Sequence, residues 1–150
     1  MGKRREGREV AIQLLFHWDL NHCAAISAED LDNFFNLRAV AAGVRHYAVQ
    51  TLEGVVSRQA EIDAQITRYT ANYELKRISA VDRNILRLAI YEMFHVPDVP
   101  PIVAINEAID IAKKFGTEES SRFVNGVLDR VKMDLKRPLR TSSPASGREK

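Results

Sequence analysis

Residues 81–129 read VDRNILRLAIYEMFHVPDVPPIVAINEAIDIAKKFGTEESSRFVNGVLD, and this stretch predicts three consecutive helices. Ser79 stands just before the first helix as a typical N-cap, and the proline-containing segment VPDVPP ends that helix. The second helix is predicted over 102–115 and ends at Gly116, a residue type that often follows a helix. Thr117 is the predicted N-cap of the third helix. Three helices with no strand pattern between them indicate an all-α fold.

The first of these helices is predicted over Ala80–His95 and is apolar on nearly every side. A helix of this kind is buried at the centre of a bundle. Its apolar residues are Val81, Ile85, Leu86, Leu88, Ala89, Ile90, Met93 and Phe94. We therefore expect the other helices to pack around it.

The beginning of the chain also has a helical pattern. A first helix is predicted over 5–20, and a second over 28–37 with Ser27 as its N-cap. The segment 39–73 continues the helical periodicity and is long enough for two helices. No run of residues alternates convincingly between apolar and polar side chains, as a half-buried strand would require.

These elements suggest how the chain is organised. A break near 72–76 divides the helical region, so we predict one domain over 1–137 with halves at about 1–75 and 76–137. The remaining residues, 138–150, are polar, basic and rich in proline and serine. Such a composition cannot bury enough apolar surface to order the chain, and we expect a disordered tail.

Charge is distributed unevenly along the chain. The formal net charge of its 150 residues is only +2. However, the first eight residues contain four cations, which are Lys3, Arg4, Arg5 and Arg8. Cations at the start of a helix are disfavoured by the helix dipole, so an anionic partner would explain them.

The single cysteine excludes an intramolecular disulfide, and no apolar run could span a membrane. These features predict a cytoplasmic protein that does not associate with membranes.

The sequence contains no recognisable catalytic or cofactor motif. The four histidines lack the spacing of a helical zinc site, and the HExxH pattern is absent. The sequence also lacks GxGxxG, a phosphate-binding loop and a GxSxG nucleophile elbow. We therefore predict that the protein is not an enzyme and that it has no cofactor and no metal site.

One side of the first helix combines cations with apolar residues. At about 100° per residue, Arg5, Arg8, Ile12 and Phe16 share this side. Arginines that bind phosphates, next to a ring that stacks on an unpaired base, are what single-stranded nucleic acid requires. Alternatively, the helix is sandwiched between two layers, and Ile12 and Phe16 are simply packed. The pattern alone leaves both interpretations open.

Three further residues in the last helices stand out, and only the first of them is ambiguous. Phe123 lies beside the apolar stripe of its helix and could be a half-exposed stacking ring or an edge of the core. Asp82 is explained by its place in the first turn of its helix. Gly126 is unusual within a helix, and we expect it to allow a close backbone approach.

Three blocks of the sequence closely resemble the NusB family of bacterial transcription antitermination factors. The blocks are GREVAIQLLFHWDL, DRNILRLAIYEMFHVPDVPPIVAINEAIDIAKKFG and SSRFVNGVLD, and the resemblance extends over about 3–131. It implies an all-helical fold of two packed three-helix-bundle-like halves without catalytic activity. It further implies a complex with NusE, a ribosomal protein. That pair binds the single-stranded boxA element of nascent RNA and, with other Nus factors, lets RNA polymerase read through terminators in ribosomal RNA operons.

The resemblance also implies roles for individual residues. The positions that match the family's RNA-binding surface are Lys3, Arg4, Arg5, Arg8, Phe16, Glu119 and Phe123. Asp82 matches the acidic position that faces NusE. We call residues 3–8, which contain the four cations, the basic segment. Glu6 and Gly7 interrupt it, so it is shorter than in the most basic relatives. We expect that replacing the three arginines with glutamate weakens RNA binding without unfolding the protein.

Two other functions fit parts of these observations. The same helical domain forms the front of an rRNA cytosine methyltransferase, but we expect no such enzyme here, since the residues given after Leu135 are too few for a methyltransferase sheet or its cofactor loop. The second alternative is a protein–protein adaptor whose basic segment does not bind RNA. The oligomeric state, including a possible homodimer, does not follow from the sequence.

Overall fold

The computed structural model describes residues 2–70 and 74–135. Within these ranges the chain forms seven α-helices and one short 3-10 helix, and it contains no strand. The helices are α1 (Gly2–Leu20), α2 (Ala28–Asn36), α3 (Ala42–Ser57), α4 (Gln59–Tyr69), α5 (Ala80–His95), α6 (Pro101–Phe115) and α7 (Glu118–Asp134), with the 3-10 helix at Leu75–Arg77. The predicted all-α fold is confirmed.

Two parts of the predicted organisation involve residues without a structural description. The tail at 138–150 lies outside the described residues, as does the beginning of the predicted break at 72–76. The division into halves therefore stays a prediction.

The three predicted N-caps are present. The hydroxyl oxygens of Ser27, Ser79 and Thr117 each accept a hydrogen bond from the backbone N–H three residues later, at 3.0, 3.1 and 3.1 Å. Each bond satisfies one of the otherwise unpaired donors at a helix start and is worth about 1 kcal/mol. The caps thus fix where α2, α5 and α7 begin.

The core is organised around α1 and α5. Helix α5 contacts α1, α3, α4, α6 and α7, which confirms its predicted central position. Helix α1 packs against α3 on one side and α5 on the other. Its buried stripe consists of Ala11, Leu14, Leu15 and Trp18, none of them more than 1% exposed.

A buried polar cluster joins the C-terminal end of α1 to α4 and α5. The Asp19 Oδ2 atom accepts hydrogen bonds from Arg83 at 2.8 Å, Asn84 at 3.0 Å and Arg87 at 2.9 Å. Arg87 also donates to both carboxylate oxygens of Asp63, at 2.8 and 3.0 Å. Burial alone would raise the pKa of Asp19, but the bond from Arg83 and the charge of Arg87 hold it below its usual value. The cluster therefore keeps Asp19 ionised inside the bundle.

The close packing of α1 against α3 requires a glycine. A Cβ atom added at Gly7 would lie 2.7 Å from Cδ2 and 3.3 Å from Cβ of Tyr47. Tyr47 cannot easily retreat, because its hydroxyl group donates a hydrogen bond to Glu92. Gly7, which interrupts the basic segment, thus has a packing role. By contrast, nothing lies within 4 Å of a Cβ at Gly126, so the predicted close approach there is wrong.

These two glycines make a matched pair for a stability measurement. We expect Gly7→Ala to destabilise the protein by about 1–2 kcal/mol, because overpacking against Tyr47 outweighs the gain in helix propensity. Gly126→Ala should instead stabilise it by up to about 1 kcal/mol, since the new methyl group meets open space. Urea unfolding followed by circular dichroism measures both. Equal effects of the two substitutions would contradict the packing role of Gly7.

Candidate nucleic-acid interface

The N-terminal basic residues pair with carboxylates on and before α6. Lys3 is exposed, and the 47% exposed side chain of Arg4 bonds Asp98 at 2.7 Å. Arg5 donates to both oxygens of Glu107 and, at 2.9 Å, to Asp110. The hydrogen bond from Arg5 lowers the pKa of Glu107 below its usual value, so this carboxylate stays ionised near neutral pH. These pairs offset the unfavourable position of the cations at a helix start.

Arg8 lies in the interior instead. Its side chain is 4% exposed, and its Nε atom donates to both oxygens of Glu92 at 2.9 and 3.0 Å. Burial and the Glu92 charge raise the pKa of Tyr47, which therefore remains a neutral donor to the same carboxylate. The expected accessible position of Arg8 is therefore wrong. The expectation that all three arginines can be replaced by glutamate without unfolding is corrected for the same reason: a buried acid would face Glu92.

The side of α1 that follows Arg8 is partly packed and partly open. Ile12 is only 4% exposed, so the packed interpretation holds for this residue. Phe16 is half-buried and borders a groove of about 390 Å³ between α1, α2, α5 and α6. We call it the aromatic groove, and its lining residues are Ile12, Gln13, Phe16, His17, Phe34, Arg38, Val81 and Phe115.

A second groove lies where α5 and α7 begin. It has a volume of about 460 Å³, and we call it the helix-start groove. Asp82, Glu119 and Phe123 all line it, so the structure brings together three residues that the sequence analysis selected separately. Glu119 is exposed and Phe123 is half-buried. Asp82 is 9% exposed, and its Oδ1 atom is buried without a hydrogen-bond partner among the described residues.

The two grooves and the basic segment form one surface. Val81 lines both grooves, which makes them neighbours. Along α1, Arg4 and Phe16 are separated by about 18 Å, since an α-helix rises about 1.5 Å per residue. Helix α6 contacts α1 at separate points: Glu107 binds Arg5, Lys114 binds Glu9 at 2.8 Å, and Phe115 lines the aromatic groove with Phe16. The selected residues other than Arg8 therefore lie along a continuous track from the basic segment to α7.

Sequence reasoning missed two features of this surface. Phe115 was assigned only as the end of a helix, yet it is 37% exposed and lines the aromatic groove. Its position directly before Gly116 was the available signal, because a large apolar residue in a last turn is often only partly covered. Glu107 and Asp110, which pair with Arg5, carried no signal, since early and middle helix positions commonly hold acids.

The described residues contain no group of three or more histidine, cysteine, aspartate or glutamate side chains that could hold a metal ion. Among the same residues, no helix is long and apolar enough to cross a membrane. What the surface offers is cations, carboxylates and half-exposed rings. The arrangement is suited to binding a partner.

The fold and this surface are those of an all-helical binding protein. The binding surface extends from the basic N-terminal end of its first helix. The chain belongs to the NusB family, whose sequence profile matches residues 5–133. The predicted membership and the NusB-like fold are confirmed. So is the prediction that the protein is not an enzyme, because the full-length relatives that it matches are transcription antitermination proteins.

Individual relatives agree with this assignment. The chain is 44% identical over 137 residues to the transcription antitermination protein NusB of Desulfatibacillum aliphaticivorans, covering 90% of this chain and 93% of that one. It is also 44% identical over 143 residues to the NusB protein of Myxococcus xanthus, covering 92% and 100%.

Solved structures show the same fold. NusB of T. maritima superposes with a TM-score of 0.75 at 34% identity, covering 89% of this chain and 92% of that one. A crystal structure of the antitermination factors NusB and NusE in complex with double-stranded RNA includes a similar chain. Its TM-score is 0.76 at 26% identity, with coverage of 87% and 96%.

The different positions of Arg4 and Arg8 predict different costs for removing their partners. Among the described carboxylates, Glu92→Gln leaves the buried charge of Arg8 with only its longer contact to Glu107, at 3.4 Å, and we expect a loss of about 3 kcal/mol in the free energy of unfolding. Asp98→Asn removes the partner of the exposed Arg4 and should cost less than about 1 kcal/mol. Chemical denaturation distinguishes the two. If both substitutions had the same small effect, Arg8 would not be a buried structural cation.

Proposed function

We propose that this protein is a transcription antitermination factor that binds the boxA element of nascent ribosomal RNA transcripts together with NusE. In this role it acts in the cytoplasm, within an elongation complex that contains other Nus factors and reads through terminators. The observation that carries the proposal is the continuous track from Lys3 and Arg4 through Phe16 to Phe123. Family membership supports the antitermination role.

The chemistry of the track suits a single RNA strand. Lys3, Arg4 and Arg5 provide cations at one end. The exposed pairs Arg4–Asp98 and Arg5–Asp110 cost little to exchange for phosphate contacts, whereas the two bonds from Arg5 to the partly buried Glu107 hold its guanidinium in place. Phe16 and Phe123 provide half-exposed rings on which unstacked bases can lie. In this proposal Arg8 acts indirectly, because its bond to Glu92 fixes the end of α1 that presents Arg4 and Arg5.

The helix-start groove is the proposed contact with NusE. The unpaired Oδ1 atom of Asp82 can accept a hydrogen bond from a donor of the partner, which would satisfy a buried acceptor. Glu119 lines the same groove and is the proposed meeting point of protein and RNA. The similar structure that contains NusB, NusE and double-stranded RNA supports both partners.

A second candidate function has its own support. Arg4 and Arg5 are already paired with carboxylates, which favours a protein adaptor that does not bind RNA. The two functions differ in whether the basic segment matters for RNA affinity.

Fluorescence anisotropy of labelled boxA RNA, with and without NusE and at two salt concentrations, separates the two candidates. We expect weak binding by the protein alone, tighter binding with NusE, and a steep loss of affinity with salt because phosphate contacts release counterions. The double substitution Arg4→Gln, Arg5→Gln should weaken binding and flatten the salt dependence by about two ions. Unchanged RNA affinity of this variant would favour the adaptor.

The substitution Asp82→Lys tests the proposed NusE contact. It should reduce NusE capture more than RNA binding by the protein alone.

Removing an acidic partner of the basic segment should raise the affinity of the protein for RNA. Asp110→Asn removes a carboxylate that competes with phosphate for Arg5, and we expect RNA affinity to rise by up to about fivefold. Asp129→Asn is the matched control, because Asp129 is similarly exposed (53% against 51%) and is also ion-paired, but lies on α7. The same anisotropy titration measures both. An equal gain for the control would indicate that only net charge matters.

A further inference from the structure

We propose that the aromatic groove is an additional base-binding subsite, in which Phe115 stacks on an unstacked base of the RNA strand. This inference rests on the proposed function and adds Phe115, Arg38 and Lys114 to the residues that contact RNA. The sequence analysis did not select any of the three.

The first observation is the convergence of aromatic rings from three helices. Phe16 of α1, Phe34 of α2 and Phe115 of α6 all line the groove. Phe115 is 37% exposed, whereas Phe16 and Phe34 are half-buried. A protein rarely leaves a large ring at the surface next to two others unless the surface is used, and flat rings are the side chains on which bases stack.

The second observation is the charge around these rings. The Arg38 guanidinium lies 3.6 Å from the centroid of the Phe34 ring and donates to the Phe34 carbonyl oxygen at 2.7 Å. The Lys114 Nζ atom lies 5.6 Å from the centroid of Phe115. None of the eight described residues that line the groove is acidic. An apolar floor with cations at its edge matches a base with its phosphate.

The third observation is the position of the groove. It lies between the helix-start groove, with which it shares Val81, and the N-terminal end of α1, where Lys3 and Arg4 line a separate cleft. A strand that contacts both ends of the track has to pass over it. A second copy of the chain fits less well, because a symmetric contact would bring the same edge cations, Arg38 and Lys114, of both copies together.

The test uses the full chain with NusE and labelled single-stranded boxA RNA. We expect Phe115→Leu to weaken RNA binding by about five- to tenfold, since stacking on a ring is lost while an apolar side chain remains. Phe115→Tyr keeps the ring and should retain the affinity. Phe94→Leu is the control for loss of a partly accessible ring, because Phe94 is half-buried but lies about 20 Å from Val81 along α5.

Thermal unfolding of each variant shows whether the fold persists. If Phe115→Leu unfolds, then Arg38→Gln, at an exposed position, provides the same test through the edge cation and should weaken binding by at least about twofold. Unchanged RNA affinity of the folded variants, while Arg4→Gln, Arg5→Gln still weakens binding, would overturn this subsite and leave the proposed function intact. If NusE capture or self-association were lost instead of RNA affinity, the groove would be a protein-docking surface and the inference would also fail. No RNA binding by the unmodified protein would overturn the proposed function itself.

Discussion

Helix α1 is attached to α5 by ion pairs at both of its ends, and these pairs set the positions of the two central helices. Near the N-terminus Arg8 binds Glu92, and near the C-terminus Asp19 binds Arg83 and Arg87. The two helices therefore run antiparallel in a fixed register. Buried ion pairs contribute little net stability compared with apolar packing, but a mismatched register would leave buried charges without partners. The ion pairs therefore specify where α1 lies along α5.

This register decides which arginines remain available. Arg4, Arg5 and Arg8 have the same chemistry and lie within five positions of one another, yet only Arg8 points between α1, α3 and α5. Its burial with Glu92 and Tyr47 holds the helix end in place. Arg4 instead has an exposed pair with Asp98, and Arg5 has an exposed pair with Asp110 besides its partly buried pair with Glu107. The register of α1 against α5 thus determines both how the helix packs and which of its arginines lie at the surface.

The sequence predicted the fold well, because its signals were local. Capping hydroxyls, prolines and apolar periodicity act within one or two turns, and the structure has helices where these signals placed them. Gly7, Arg8 and Ile12 were different, since their environments depend on residues that are distant in sequence, such as Tyr47 and Glu92. Helical periodicity assigns a residue to a side of α1 but does not reveal that this side is covered by other helices.

In the candidate site, too, local sequence signals did not reveal contacts between residues that are distant in sequence. Phe16 and Phe123 were ambiguous from their positions beside apolar stripes, and the structure shows both as half-buried rings that border grooves. The adjacency of Asp82, Glu119 and Phe123 follows from the meeting of two helix starts, which no local pattern encodes. Gly126, which meets open space, has no explanation in the packing.

The proposed function requires that one surface, from the basic end of α1 to the start of α7, receives the RNA strand. Chemical-shift mapping by two-dimensional NMR, with boxA RNA added to the labelled protein, locates this surface residue by residue. We expect shifts at Lys3, Arg4, Phe16 and Phe123, and unchanged signals from the exposed residues of α4. Shifts concentrated on α4, or an absence of shifts between the basic segment and α7, would contradict this expectation.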